Sequence, residues 1–168
     1  LLPEARITGV EIDGEVLRVA RQYMALDRQG LEVIEADAYD YLRNTRRRFD
    51  VIVDDVYLTG STDVWRPDDL TEGGLDLLAA RCRPGGLVLA NFITDGDHDR
   101  QRKAAQKTFA RHFGATALVR PPQGFNGIIV GGDGFVPTRE VLDLSRRFEA
   151  SHDRALWRKI SVRRYRAA

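Results

Sequence analysis

The sequence predicts an α/β domain: a three-layer sandwich with a mostly parallel sheet that ends in an antiparallel hairpin. Three observations predict it. Short apolar runs rich in β-branched residues alternate with amphipathic helical patterns. The connections between them are a few residues long. The third run, Phe49–Asp54 (FDVIVD), is apolar enough to be covered on both faces, as strands of a parallel sheet are.

Element by element, Arg6–Ile12 (RITGVEI) reads as a strand that stops at Asp13-Gly14. A helix follows, with Val16, Leu17, Ala20 and Met24 on its buried face and Asp13 placed to cap its free N–H groups. Gly30 ends that segment, and Leu31–Glu35 is a second strand. Ala38–Asn44 is a short helix with Tyr41 and Leu42 inward, leading into the Phe49–Asp54 strand. A polar loop spans Val56–Asp69, and Leu70–Cys82 is a helix with Leu75, Leu77 and Leu78 inward. Pro84-Gly85-Gly86 stops it and opens the Leu87–Ile93 strand. The longest helix is Asp97–Phe113, with Ala104, Ala105, Phe109 and Phe113 at helical spacing and Gly114 as its stop. Ala115–Val119 and Gly127–Val130 form a hairpin about a Pro-Pro-Gln-Gly turn. Thr138 caps a last helical region, and Trp157–Arg166 is a basic tail. The expected division is 1–135 for the α/β domain and 136–168 for a C-terminal helical region.

The chain has 168 residues, the length of one ordinary domain. Its 43% hydrophobic and 30% charged residues exclude a disordered, collagen-like or coiled-coil chain. The net charge of +1 gives no electrostatic case for nucleic acid or an anionic membrane as partner. Cys82, the single cysteine, excludes a disulfide framework and a thiolate zinc site. No His, Cys, Asp and Glu grouping has metal-ligand spacing, so no metal is expected. Apolar runs stop far short of the ~20 residues that span a bilayer. The expected setting is cytoplasmic and reducing. Residue 1 is leucine, so a processed chain or a piece of a longer protein is expected.

In an open parallel sheet ligands bind off the carboxyl ends of the strands, which makes strand-end side chains the ones to question. Glu11 ends the first strand, where a carboxylate can accept from both hydroxyls of a ribose; the alternative is a turn acid. Asp37, after the second strand, could accept from an adenine amino group with small Ala38 leaving room for the ring, or cap the next helix, or do both. Asp54 and Asp55 stand side by side after the third strand. Adjacent like charges raise one pKa, which suits a group that takes or steers a proton; the alternative is one acid in water and one capping a turn. Tyr57 and Trp65, in the following loop, could line an acceptor pocket or pack the loop. Asn91, near the end of its strand, could face the same crevice or pin a neighbouring loop.

Taken in order, VEID followed by a helix, EADAYDYL, FDVIVDD, PDDLT and RPGGLVLANF resemble the spermidine synthase family, part of the Rossmann-like class I S-adenosylmethionine-dependent methyltransferase superfamily. The resemblance covers roughly Ile7 to Val130. It implies S-adenosylmethionine or its decarboxylated form as co-substrate, with Glu11 on the ribose and Asp37 with Ala38 on the adenine. It implies Asp55 as the catalytic residue that orients or deprotonates the attacking amine, and Asp54, Tyr57 and Trp65 as substrate-binding neighbours. Polyamine biosynthesis is the implied setting.

Three departures qualify it. The family's second aspartate, three residues after the first, is replaced by Leu58. The glycine-rich loop of the first strand and the small N-terminal β domain are missing, and Gly131–Gly134 (GGDG) follows the last strand and reads as a turn. The missing strand belongs between the Arg6–Ile12 and Phe49–Asp54 strands, so both should carry a free edge unless other residues or a partner chain, including a second copy, cover it. The expected function is transfer of an aminopropyl or methyl group to a small amine-type acceptor. The alternative is a catalytically silent binding or oligomerisation module. A third reading, an amino-group methyltransferase, rests on Asp54-Asp55-Val56-Tyr57, which lacks both prolines of that signature.

Overall fold

The computed structural model describes residues 4–60, 64–67, 73–94, 98–114, 116–135 and 138–165. The chain divides into two compact units between Arg46 and Arg47.

In the first unit, strands β1 (Thr8–Glu11) and β2 (Glu32–Glu35) pair in parallel, Thr8 opposite Glu32 through Glu11 opposite Glu35. Helix α1 (Gly14–Tyr23) lies between them in sequence, and α2 (Ala38–Asn44) follows β2. Both helices begin on the aspartates expected to cap them. The Asp13 carboxylate accepts from the Glu15 N–H at 2.8 Å, and Asp37 accepts from the Asp40 N–H at 2.8 Å. Each relieves one of the orphan donors of a first helical turn. Gly30 has φ +68°, a conformation that lets the chain reverse into β2.

The buried faces differ from expectation. In α1 only Leu17 is buried, and Val16 and Met24 are exposed. Two strands offer a helix little apolar surface, so a narrow stripe is buried. In α2 the inward pair is Tyr39 and Leu42, three residues apart on one face, and Tyr41 is half-buried.

In the second unit, a five-stranded sheet has the order β3-β6-β8-β7-β9. Its strands are β3 (Phe49–Asp54), β6 (Cys82–Ile93), β7 (Thr116–Arg120), β8 (Asn126–Gly131) and β9 (Ser161–Tyr165). The β3–β6 ladder is parallel; the expected hairpin β7–β8 and the ladders β6–β8 and β7–β9 are antiparallel. A two-rung ribbon, β4 (Leu58–Thr59) with β5 (Val64–Trp65), stands in the loop after β3. The helices are α3 (Gly74–Arg81), α4 (His98–His112), α5 (Thr138–Asp143) and α6 (Ser151–Trp157). The expected starts of α3 and α4, at Leu70 and Asp97, lie outside the described residues, as does Arg166 of the basic tail. So does the Thr138 side chain. The sheet encloses a core of Leu75, Leu78, Val88, Ala90, Phe92, Ala105, Phe109 and Ile129, all at most 2% exposed. Ala104, expected to share the inner face of α4, is exposed.

Most of the expected basic tail is β9. Its pairing with β7, from Thr116 opposite Tyr165 to Arg120 opposite Ser161, ties the C-terminal residues into the sheet. The 135/136 division therefore does not coincide with the boundary between the two units. Pro84-Gly85-Gly86 lies inside β6, where the β3–β6 register shifts between Phe49 and Val51. The glycines of Gly131–Gly134 also serve this place. A Cβ on Gly132 would lie 2.2 Å from the Gly86 carbonyl oxygen and one on Gly134 2.5 Å from that of Gly85. The cluster is a place where two backbones touch.

β3 is not covered on both faces: Val51 and Val53 are 54% and 69% exposed. Among the described residues β3 pairs only with β6 and β1 only with β2, so each strand carries a free edge. A strand with one neighbour leaves half its backbone groups and part of its apolar surface to solvent.

Candidate active site

Two groups of residues form, one in each unit. In the first, the parallel β1–β2 register places Glu11 beside Glu35, and the Ala36 N–H donates to the Glu11 carbonyl at 3.0 Å. Glu11, Asp37 and Ala38 thus meet at the carboxyl edge of one strand pair. The Glu11 carboxylate accepts from the Asp13 N–H through Oε1 at 2.9 Å, which makes it a turn acid. Asp37 caps α2 through Oδ1. In each case no hydrogen bond is formed by the second oxygen among the described residues, so capping and ligand binding are compatible. This edge presents two half-buried carboxylates beside a small side chain.

The second group forms where β3 ends. Asp54 and Asp55 separate sharply. Asp54 is 4% exposed and pairs with the guanidinium Nη2 of Arg66, itself 4% exposed. It also accepts from the Val56 N–H at 3.2 Å. Asp55 is exposed and accepts from Asn91 Nδ2 at 2.8 Å through one oxygen. The expected like-charge pair is therefore replaced by a different arrangement. Strand alternation turns Asp54 inward, a buried carboxylate needs a partner, and Arg66 supplies it. Asp55 carries the accessible negative charge.

Arg66 is the residue that the sequence reading missed. Its Nη1 donates to the Asn91 carbonyl at 2.8 Å, and its Cζ lies 4.6 Å from the Phe92 ring centroid and 5.5 Å from that of Tyr57. Its Nε finds no partner among the described residues. Gln101 of α4 donates to the Arg66 carbonyl at 3.0 Å, fixing the backbone from the other side. The available signal was an arginine between Trp65 and Pro67, shortly after two strand-end acids.

Asn91 pins the neighbouring loop, one of the two roles open for it. Its amide reaches Asp55, and its carbonyl pins the loop by accepting from Arg66 and, at 3.2 Å, from the Tyr57 hydroxyl. The Tyr57 oxygen accepts in turn from the Ile93 N–H at 3.0 Å. Tyr57 is a strut of the loop, its hydroxyl engaged with β6 backbone on both counts. Trp65 stands opposite Leu58 in the ribbon, 49% exposed.

Burial pushes the Tyr57 hydroxyl above its ordinary value of 10.0; the Ile93 N–H and the Arg66 charge oppose the rise. A folded-state pKa above the unfolded one means that the unfolded chain ionises first. This contribution to stability is complete below about pH 10 and is lost as pH rises through the higher folded value. Denaturant titrations at rising alkaline pH should show a steeper loss for the parent chain than for Tyr57→Phe. Equal slopes would remove Tyr57 as the cause.

Among the described residues no three His, Cys, Asp or Glu side chains gather as a metal site, and no helix is long and apolar enough to cross a membrane. His112, at the end of α4, lies 2.7 Å from Asp76 of α3, a helix-to-helix contact away from the β3 end.

The structure, 96% of the chain, superposes on a probable spermidine synthase from Corynebacterium glutamicum with a TM-score of 0.75 at 21% identity. Human methyltransferase-like protein 13, solved with S-adenosylhomocysteine, matches 91% of the chain at 0.69 and 21%. A spermidine synthase in complex with the transition-state analogue AdoDATO matches 87% at 0.67 and 22%. The fold is that of spermidine synthases and class I methyltransferases. No protein-family model and no curated protein matches the sequence. The chain spans 58% and 53% of the two spermidine synthases and 72% of the human protein. The mixed α/β architecture thus agrees with the fold class expected from sequence.

Proposed function

We propose that this chain is the nucleoside-binding and acceptor-activating part of a transferase that moves an aminopropyl or methyl group from a sulfonium nucleoside to a small amine. The observation that carries the reading is Asp55: an accessible carboxylate at the end of a parallel strand, held on one oxygen by Asn91, with no partner for the other oxygen among the described residues. Its neighbour Asp54 is neutralised by Arg66, so the charge offered at this strand end belongs to Asp55. The fold shared with proteins solved with S-adenosylhomocysteine and AdoDATO supports the donor class.

S-adenosylmethionine or its decarboxylated form would be a co-substrate. The open oxygens of Glu11 and Asp37 fit a ribose diol and an exocyclic amine, which are donors, and Ala38 leaves space for a ring. In the transfer, the amine nitrogen attacks the carbon next to the sulfonium. The new C–N bond takes the amine lone pair, and the breaking C–S bond returns its pair to sulfur as a neutral thioether. Asp55 orients the amine and accepts the proton that the new ammonium sheds.

Calorimetric titration with S-adenosylmethionine, its decarboxylated form and methylthioadenosine tests the donor site. Binding supports the transferase, and the preferred nucleoside separates methyl from aminopropyl transfer. No binding by a folded chain favours a silent module. Glu11→Ala is expected to weaken nucleoside binding by about 1–3 kcal/mol, the cost of losing a charged hydrogen-bond acceptor. An unchanged dissociation constant would leave Glu11 as a turn acid alone.

A further inference from the structure

We propose that a cavity at the end of the β7–β9 ladder binds a small molecule with an apolar body and one positive charge. The inference is independent of the transferase reading. The last rung of that ladder is Arg120 opposite Ser161, so the turn that leaves β7 and the segment that enters β9 diverge at one place. A cavity of about 470 Å³ opens there, within the size range of small-molecule sites. In the sheet order β7 stands three strand spacings from β3, about 14 Å at ~4.8 Å per strand. The cavity is therefore separate from the strand end that carries Asp55.

Its walls are apolar. Pro121 and Pro122 come from the turn after β7, Phe148 from the segment before α6, and Leu156, Trp157 and Ile160 from α6 and its exit. The aromatic pair is held in place: the Phe148 and Trp157 ring centroids are 5.3 Å apart, and the Trp157 Nε1–H donates to the Val141 carbonyl at 2.7 Å. With its one donor engaged, the indole offers the cavity apolar and π-electron surface. Arg154 secures the Phe148 segment, its Nη1 donating to the Phe148 and Glu149 carbonyls at 2.7 and 2.8 Å. Leu156 is 40% exposed, so an apolar body seated here removes hydrophobic surface from water. The sign of the charge comes from Asp153, in the first turn of α6, which lines the same cavity. A carboxylate and a tryptophan in one wall both attract a cation, the first by its charge and the second by the quadrupole of its ring. Both disfavour an anion.

The test uses three probes with one phenyl body and different charge: 2-phenylethylamine, 2-phenylethanol and phenylacetate. Each is titrated into the ¹⁵N-labelled 168-residue chain at neutral pH, and the indole N–H signal of Trp157 is followed. The chain has two tryptophans, so Trp65→Phe assigns that signal. The expected result is saturable movement with the amine, about five- to ten-fold tighter than with the alcohol, and none with phenylacetate. That is the scale of one cation–π contact and one exposed ion pair together. Asp153→Asn should bring the amine down to the affinity of the alcohol, and Asp153→Lys should make phenylacetate the tighter ligand. An unchanged Trp157 signal in either variant before ligand is added shows that the wall is intact. Asp55→Ala should leave the Trp157 titration as it is in the parent chain. A Trp157 signal that none of the probes moves overturns the proposal. So does an alcohol that binds as tightly as the amine, or an amine preference that survives Asp153→Asn. Loss of the titration in Asp55→Ala would merge the cavity with the β3 end and overturn its separateness. None of these results depends on nucleoside binding, so failure of the transferase reading leaves this one standing.

Discussion

Asp55→Asn is expected to lower transfer by about 10²–10⁴-fold, the range of a positioned acid–base group, while methylthioadenosine still binds as in the parent chain. The substitution is isosteric and exposed, so the fold has no reason to change. The Asn91 amide that donates to Asp55 Oδ1 can donate equally to an asparagine oxygen, so the side chain keeps its orientation. What is lost is the charge that steers an amine and the basicity that removes its proton. Single-turnover product formation measured beside a nucleoside titration checks both halves. Unchanged transfer removes Asp55 from the mechanism. Loss of nucleoside binding along with transfer means that the side chain belongs to the donor site.

The contrast with Asp54 makes the experiment specific. One residue earlier, the same chemical change leaves Arg66 buried without its counter-charge, and the result is a stability defect. The two aspartates are equivalent in the sequence and opposite in the structure. Strand parity decides between them, because successive side chains of β3 point to opposite faces. The sequence shows that parity exists but not which phase is inward. The phase depends on Arg66, twelve residues on, and on Phe92 of β6.

What could be read from sequence follows the same division between local and distant causes. Asp13 and Asp37 were legible as caps because an acid just before a helical pattern meets donors that only it can satisfy. The β7–β8 hairpin was legible because two β-branched runs flank a Pro-Gly turn. The strand β9 was not. Ser161–Tyr165 has a valine among two arginines, a serine and a tyrosine, and its strand state comes from the ladder to β7, more than forty residues away in sequence. The exposure of Val51 and Val53 was not read from FDVIVD either. An apolar strand announces that it wants two covered faces, and whether it has them is set by its neighbours. The strand-end positions of Glu11, Asp37, Ala38 and the two acids were legible, since strand ends can be located from apolar runs. Arg66 was missed because its role is created by burial.

Arg66→Met is expected to destabilise the second unit by about 3–5 kcal/mol, the cost of removing one partner of a buried ion pair. Methionine keeps much of the apolar contact with Phe92 and Tyr57, so the loss isolates the charge. Asp54 would then be buried without the Arg66 counter-charge, keeping its other contacts, among them the Val56 N–H. Two further anchors go with it: the guanidinium bond to the Asn91 carbonyl, and through it the loop end that carries β5. Arg66→Lys should recover part of the loss, since an ammonium restores the charge but cannot reach Asp54 and the carbonyl with two fixed nitrogens. The double variant Arg66→Met/Asp54→Leu decides the cause. If the penalty is that of an orphaned buried charge, removing the second charge returns most of the stability even though no ion pair is re-formed. If the double variant is as unstable as Arg66→Met, the guanidinium matters chiefly as the clasp on Asn91. Asp55, which shares that asparagine, should then lose its orientation in the single and double variants alike.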